Sequence, residues 1–168
     1  LFDKCTNLSK VTIPASVTKL ANGGVFGEST NLKTAGPVGS GSDIEFGWTE
    51  TIPENAFIYT TTLTAVEIPY GVKTIGTSAF DYCENLTAIT IPETVKVIKP
   101  AAFQHCSSLK DVYYYGTADD WNKITINQGN DQLKKVTFHY KGIQLRALKI
   151  NAEDGEIVLR AGESRTLG

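Results

Sequence analysis

The feature that most constrains this chain is that it repeats itself at a fixed period. Ala79-Phe80-x-x-Cys83-x-x-Leu86 returns as Ala102-Phe103-x-x-Cys106-x-x-Leu109, every matched position displaced by the same step. With the leucine as anchor, the unit recurs at Leu8, Leu32, Leu63, Leu86 and Leu109, with a weaker sixth anchor at Leu133. Leu63, Leu86 and Leu109 are evenly spaced, and the steps from Leu8 to Leu32 and from Leu109 to Leu133 are longer by a single position. Only the step from Leu32 to Leu63 is much longer. Each anchor opens a short alternating run, as in Leu63-x-x-Val66-x-Ile68-Pro69 and Leu86-x-x-Ile89-x-Ile91-Pro92. Period-2 alternation of β-branched residues reads as a strand with one buried face. The proline that follows ends the ladder, having no N–H to give. A second apolar pair comes next, Val17-x-x-Leu20, Val72-x-x-Ile75 or Val95-x-x-Ile98, and reads as another short extended segment, with a turn at Gly76. The Phe-x-x-Cys-x-x-Leu stretch has apolar residues three apart, which suits one helical or 3-10 turn.

A single unit cannot bury its own apolar face, so units must stack, each coil covering the Leu, Ile and Phe of the one before. The expected architecture is a right-handed solenoid, mostly β with short helical or 3-10 turns. It is built on a parallel sheet of about six coils with one β insertion. Phe2, Phe26, Phe57, Phe80 and Phe103 would form one spine, each side chain contributing about 1.5–3 kcal/mol when fully buried.

The pattern L-x-x-I-x-I-P-x-x-V-x-x-I-x-x-x-A-F-x-x-C-x-x-L, carried by Leu63 to Leu109, resembles the BspA-like (Treponema-type) leucine-rich repeats. The resemblance covers about residues 1–140, and the stretch "YYYGTADDWNKITINQGNDQLKKVTFHY" is similar to the closing segment of such proteins. It implies a leucine-rich-repeat solenoid over 1–140 from a bacterial cell-surface or secreted protein, with adhesive or protein-binding roles.

Composition excludes little but is consistent with this. A net charge of −2 across 168 residues gives no electrostatic reason to expect nucleic acid or an anionic membrane. No apolar run approaches a membrane span. The first residues, "LFDKC", already lie inside a repeat unit, so the expectation is an excised piece whose targeting segment lies upstream. Three cysteines are too few for a disulfide framework.

Two regions depart from the repeat. The long step from Leu32 to Leu63 carries an insertion at about 36–50. Its Gly and Ser residues are loop material, while Ile44, Phe46 and Trp48 alternate like a strand. Either Trp48 packs back on the core, or the insertion is a binding loop that displays Phe46 or Trp48. Residues 116–140 read as a C-terminal cap, with a helix starting after Thr117 and Trp121, Ile124 and Ile126 covering the end of the stack. After Tyr140 the pattern changes. Residues 141–168 read as a linker and β tail that is similar to the start of a bacterial immunoglobulin-like module.

No catalytic constellation emerges. Cys83 and Cys106 share a column with Cys5, Ser29 and Thr60, a ladder of small residues rather than a metal-ligand set. Whether the two cysteines join in a disulfide stays open. His105 neighbours a cysteine expected to be buried, and His139 is expected on the final strand, facing outward. Glu45, Glu50 and Glu54, and Asp119 with Asp120, lack calcium-loop spacing. Gly-Ser-Gly-Ser at 39–42 lacks the lysine of a phosphate loop. No catalytic residue, cofactor or metal is therefore expected.

What remains is a surface. Positions two and four after each anchor point away from the core. The first column reads Lys10, Thr34, Ala65, Ala88, Asp111, Lys135, and the second Thr12, Gly36, Glu67, Thr90, Tyr113, Thr137. Five coil steps of about 4.8 Å make this face about 24 Å long. It has small residues in its middle and Tyr113 and Tyr115 toward one end. The expected function is a non-catalytic protein-interaction or adhesion module, its partner a host or matrix protein rather than nucleic acid or membrane. The alternatives are a carbohydrate-binding surface, with Tyr113, Tyr115 and Trp48 stacking on sugars, or a purely structural spacer.

Overall fold

The computed structural model describes residues 2, 4–20, 25–26 and 29–141, together with the backbone of two further strands. The alternating runs after the anchors become the strands of one sheet. These are β1 (Val11–Ile13), β2 (Thr34–Pro37), β3 (Ile44–Phe46), β5 (Ala65–Glu67), β7 (Ala88–Pro92), β9 (Asp111–Tyr115) and β11 (Thr137–Tyr140). Every neighbouring pair in this sheet is parallel. Of the second apolar pairs, those at 72–75 and 95–98 supply β6 (Thr74–Ile75) and β8 (Val97–Ile98) of a smaller parallel sheet, flanked by β4 (Thr51–Ile52) and β10 (Thr125–Ile126), whereas residues 17–20 form no strand. Gly76 is needed where the chain leaves β6, because a Cβ there would meet the Ile52 carbonyl at 2.6 Å and the Glu54 nitrogen at 2.7 Å.

Between the sheets runs the phenylalanine spine. Phe57, Phe80 and Phe103 stack with centroids 5.3 Å apart and planes within 10°. Phe2, Phe26 and Phe57 continue it at 5.9 and 6.1 Å. The cysteine column lies beside the spine. The thiols of Cys83 and Cys106 donate to the Phe57 and Phe80 carbonyls at 3.2 and 3.1 Å, and the Ser29 hydroxyl donates to the Phe2 carbonyl. Cys and Ser act as donors here, whereas the buried Thr60 hydroxyl of the same column makes no hydrogen bond among the described residues. The three cysteines are free. Burial pushes the Cys83 thiol up, and the Cys106 thiol up to about 12.

The turns carrying the spine are held by a third ladder. Asn55, Ser78 and Ala101 precede their phenylalanines by two and adopt φ of 57°, 51° and 57°; Tyr59, Tyr82 and His105 follow by two, with φ of 59°, 58° and 54°. Between these positions alternate N–H groups face the next coil, while those of Ala56 and Ile58 bond within their own turn. Asn55, Phe57 and Tyr59 thus donate to carbonyls of residues 77, 79 and 81 in the next coil. At the C-terminal end this ladder meets the buried Asn130, whose Oδ1 accepts from the Phe103 N–H at 2.9 Å. The Asn130 Nδ2 donates to the Lys99 and Asn127 carbonyls, so one side chain closes three open backbone groups.

The insertion is a loop, residues 38–43, followed by a strand that joins the sheet. In the sheet the order is β1-β3-β2-β5. The chain passes from β1 to β2 with a space left between them, then returns through residues 38–43 and lays β3 into that space, parallel to both. Phe46 and Trp48 are 1% and 3% exposed and pack on Phe57, with ring centroids 5.7 and 5.9 Å from it. The Trp48 indole N–H donates to the Val17 carbonyl at 2.7 Å. This corrects the reading in which Phe46 and Trp48 are displayed to a partner; both are core.

The cap forms around helix α1 (Ala118–Trp121). The Thr117 hydroxyl accepts from the Asp120 N–H while the Asp120 carboxylate accepts from Thr117, a reciprocal capping box. Asp120 is held well below the usual carboxylate range by these bonds and by Lys123. Trp121 is buried against Phe138 and Tyr114, whereas Ile126 stays 39% exposed. Strands β12 (Glu156–Leu159) and β13 (Glu163–Thr166) pair antiparallel. The expected linker and immunoglobulin-like start otherwise fall outside the described residues. No described helix is long and apolar enough to cross a membrane.

Candidate interaction face

The side of the seven-stranded sheet turned away from the spine gathers most of the residues singled out in the two columns. Register aligns Thr34, Ala65, Ala88 and Asp111, and separately Glu67, Thr90 and Tyr113. The last strand departs from expectation. A 3-10 helix, Asp131–Lys134, takes up the anchor Leu133, so β11 starts two residues later than the repeat predicts. Thr137 therefore stands beside Asp111 rather than Tyr113, His139 stands beside Tyr113, and Lys135 lies outside the strand altogether.

Two raised borders flank a low centre. At the N-terminal side, the connection between β2 and β3 sits over Gly36, where a Cβ would meet the Ser42 and Ser40 hydroxyls at 2.7 and 2.8 Å. Two carboxylates tie this connection down. Asp43 accepts from the Lys33 and Thr34 N–H groups and the Thr34 hydroxyl, all at 2.9 Å. Glu45 accepts from the Gly41 N–H at 3.0 Å and from Lys10 Nζ at 2.9 Å. The Lys10 ammonium, with the Gly39 and Gly41 amides, lowers the Glu45 carboxyl from its ordinary value. Lys10 also donates to the Ser42 carbonyl and is thus committed to the insertion, while Thr12 beside it stays exposed.

At the C-terminal side, the Tyr113 ring stacks on His139 with centroids 4.6 Å apart and planes 17° from parallel. His139 Nε2 lies 2.7 Å from Asp111 Oδ1, and Lys141 Nζ stands 5.5 Å from the Tyr113 centroid. Tyr115 is half-buried beside Pro92. Between the borders lie only β5 and β7, offering Ala65, Glu67, Ala88 and Thr90. From β2 to β9 is three strand spacings, about 14 Å. The result is a shallow trough running along the strands.

A second group escaped the sequence reading. Tyr59, Tyr82 and His105 stand on successive coils and stack at 4.8 and 3.9 Å, with His105 Nδ1 2.9 Å from Asp81 Oδ1. The signal was present, since all three follow their phenylalanine by two residues. Stacking covers both faces of Tyr82 and one face each of Tyr59 and His105. Among the described residues no group of three or more His, Cys, Asp and Glu is placed to hold a metal ion. Each histidine is paired with an aspartate and a tyrosine ring, and Cys106, beside His105, is fully buried.

Comparison with known proteins agrees with the repeat. The family model for the BspA type leucine rich repeat region matches residues 1–37 and 42–149, in six copies. Unmatched residues 38–41 are the tip of the β2–β3 connection. None of the curated proteins matches. Among solved structures, a leucine rich cell surface protein from Faecalibacterium prausnitzii A2-165 is 35% identical, with a TM-score of 0.57. The match covers 74% of this chain and 30% of that one.

Proposed function

The chain belongs to the BspA-type leucine-rich repeat family, and from that premise we propose that it is a non-catalytic protein-binding module displayed at a cell surface. The surface setting is supported by the family and by the description of its structural relative as a cell surface protein. The observation that carries the binding role is the trough. Its floor of Ala65, Ala88 and Thr90 lets a partner approach the sheet closely, and Tyr113 at its edge is an aromatic anchor of the kind that dominates protein interfaces. The sugar-binding alternative has less support. Trp48 is in the core, Tyr82 is stacked on both faces by Tyr59 and His105, and Tyr113 has one face taken by His139. A planar row of open ring faces would favour a sugar, and the trough offers the one face of Tyr113 that His139 leaves uncovered rather than a row.

The test is binding of the purified protein to arrays of immobilised matrix proteins and of glycans, repeated with Tyr113→Ala. The expected result is binding on the protein array that falls at least about tenfold in the variant, in keeping with an aromatic hot spot. Binding to glycans alone would replace this reading with the sugar one, and binding to neither would leave the spacer.

A further inference from the structure

The trough has one charge with no internal partner. Of the carboxylates on this side of the sheet, Glu45 is paired with Lys10, and Asp111 with His139. Asp43 is filled by two backbone N–H groups and the Thr34 hydroxyl. Glu67 is different. It stands on β5 near the middle of the floor, half-exposed, with Thr90 beside it in register and Ala65 and Ala88 next to it. Its carboxylate makes no ion pair or hydrogen bond among the described residues. Each border acid has a partner within the fold, whereas the central one has none among the described residues.

Resting on the reading of the trough as a protein-binding site, we propose that its occupant is a basic segment of a partner protein, lying along the strands with a lysine or arginine seated on Glu67. Three features fit this chemistry. The small floor residues let the partner's backbone come close enough for its side chain to reach the carboxylate. The borders shield that pair from water on two sides, and a charge-assisted hydrogen bond gains strength where water is excluded. The Tyr113 face turned toward Thr90 offers the same cation a ring to lie against. An acidic segment would instead meet Glu67 without compensation. The width of about 14 Å between border strands admits a single chain segment rather than the flat face of a domain.

The test selects twelve-residue peptides from a random displayed library on the immobilised protein, then measures the enriched sequences as synthetic peptides. The expected result is enrichment of Lys or Arg. Affinity should weaken at least about tenfold in Glu67→Gln, in keeping with loss of a charge-assisted hydrogen bond, and fall with added salt. The loss should vanish when the peptide's basic residue is replaced by glutamine, because the two changes remove one interaction. Glu67→Lys should select acidic peptides instead. Peptides that weaken in Tyr113→Ala yet lack basic residues and ignore Glu67→Gln would overturn the basic occupant while leaving the trough as a binding site. Peptides indifferent to both variants would overturn both. A dimer in sedimentation that dissociates in Glu67→Gln would overturn the proposal by giving the face to a second copy.

Discussion

The regular coils from Leu63 to Leu109 and the inserted segment from Thr34 to Trp48 build the same sheet by different means. In the regular coils each strand reaches its parallel neighbour by travelling once around the stack, so that Ala65 lies beside Ala88 and Ala88 beside Asp111. Their spine rings fall at a uniform 5.3 Å. In the insertion, β2 reaches its parallel neighbour β3 through residues 38–43 alone, where a parallel connection ordinarily takes a dozen residues or more. The extra strand has no counterpart in the spine, and the adjoining rings spread to 5.9 and 6.1 Å, with Phe46 and Trp48 filling in beside them. Repetition stabilises the one region through like on like. The other depends on Asp43 and Glu45 binding a short reversal to the strands it joins.

That contrast can be broken at either end. The largest effect is expected in the spine. Phe80→Ala leaves a cavity between two stacked rings and should cost about 3–5 kcal/mol, with the chemical unfolding midpoint falling sharply. An unchanged midpoint would mean that the stack does not carry stability. In the insertion, Asp43→Ala leaves the Lys33 and Thr34 N–H groups without their partner and should cost about 1–3 kcal/mol, with amide protection lost around β3 but kept in β7. Equal loss of protection in both strands would erase the distinction between the two regions.

Acid should act on the same tie. The Lys10 ammonium and the loop amides lower the folded-state pKa of Glu45, so its contribution is present above the ordinary carboxylate range and is lost as pH falls through the lowered value. Stability should therefore drop on acidification by less in Glu45→Gln than in the native chain, as read from unfolding midpoints across that range. Asp120 in the cap has the same sign and serves as a control far from the insertion. The smallest effect is expected at Cys83→Ser, under about 1 kcal/mol, since a hydroxyl replaces a weaker donor to the Phe57 carbonyl and Ser29 already does this at the equivalent position. A large loss would show that thiol bulk, rather than donation, sets that column.

Period and phase made much of the fold legible. Leucine anchors, proline stops and the Phe-Cys unit placed the large sheet, the spine and strands β6 and β8 of the small sheet, because stacked identical units write their contacts into the sequence. Residues 17–20, read the same way, form no strand. The insertion was legible as a strand from Ile44, Phe46 and Trp48, but not its place between β1 and β2. A short connector after a strand ordinarily gives an antiparallel neighbour or a bulge, and only the carboxylate ties reveal the parallel return. At the other end the anchor Leu133 misled, since a 3-10 helix absorbed it and moved His139, not Thr137, beside Tyr113. The low centre of the trough was visible as Ala65 and Ala88. Its borders were not, because one is a loop folded over Gly36 and the other a ring pair created by the shifted register.

The central claim is that the inserted segment is a rung of the sheet, and that it supplies the N-terminal border of the trough. Amide hydrogen exchange tests it most directly. Ile44, Glu45 and Phe46, flanked by β1 and β2, should exchange at least about a hundredfold more slowly than Val38–Gly41, in keeping with closure by roughly 3 kcal/mol or more of local opening. Exchange of those three amides as fast as the connection beside them would contradict it, and the trough would lose its border.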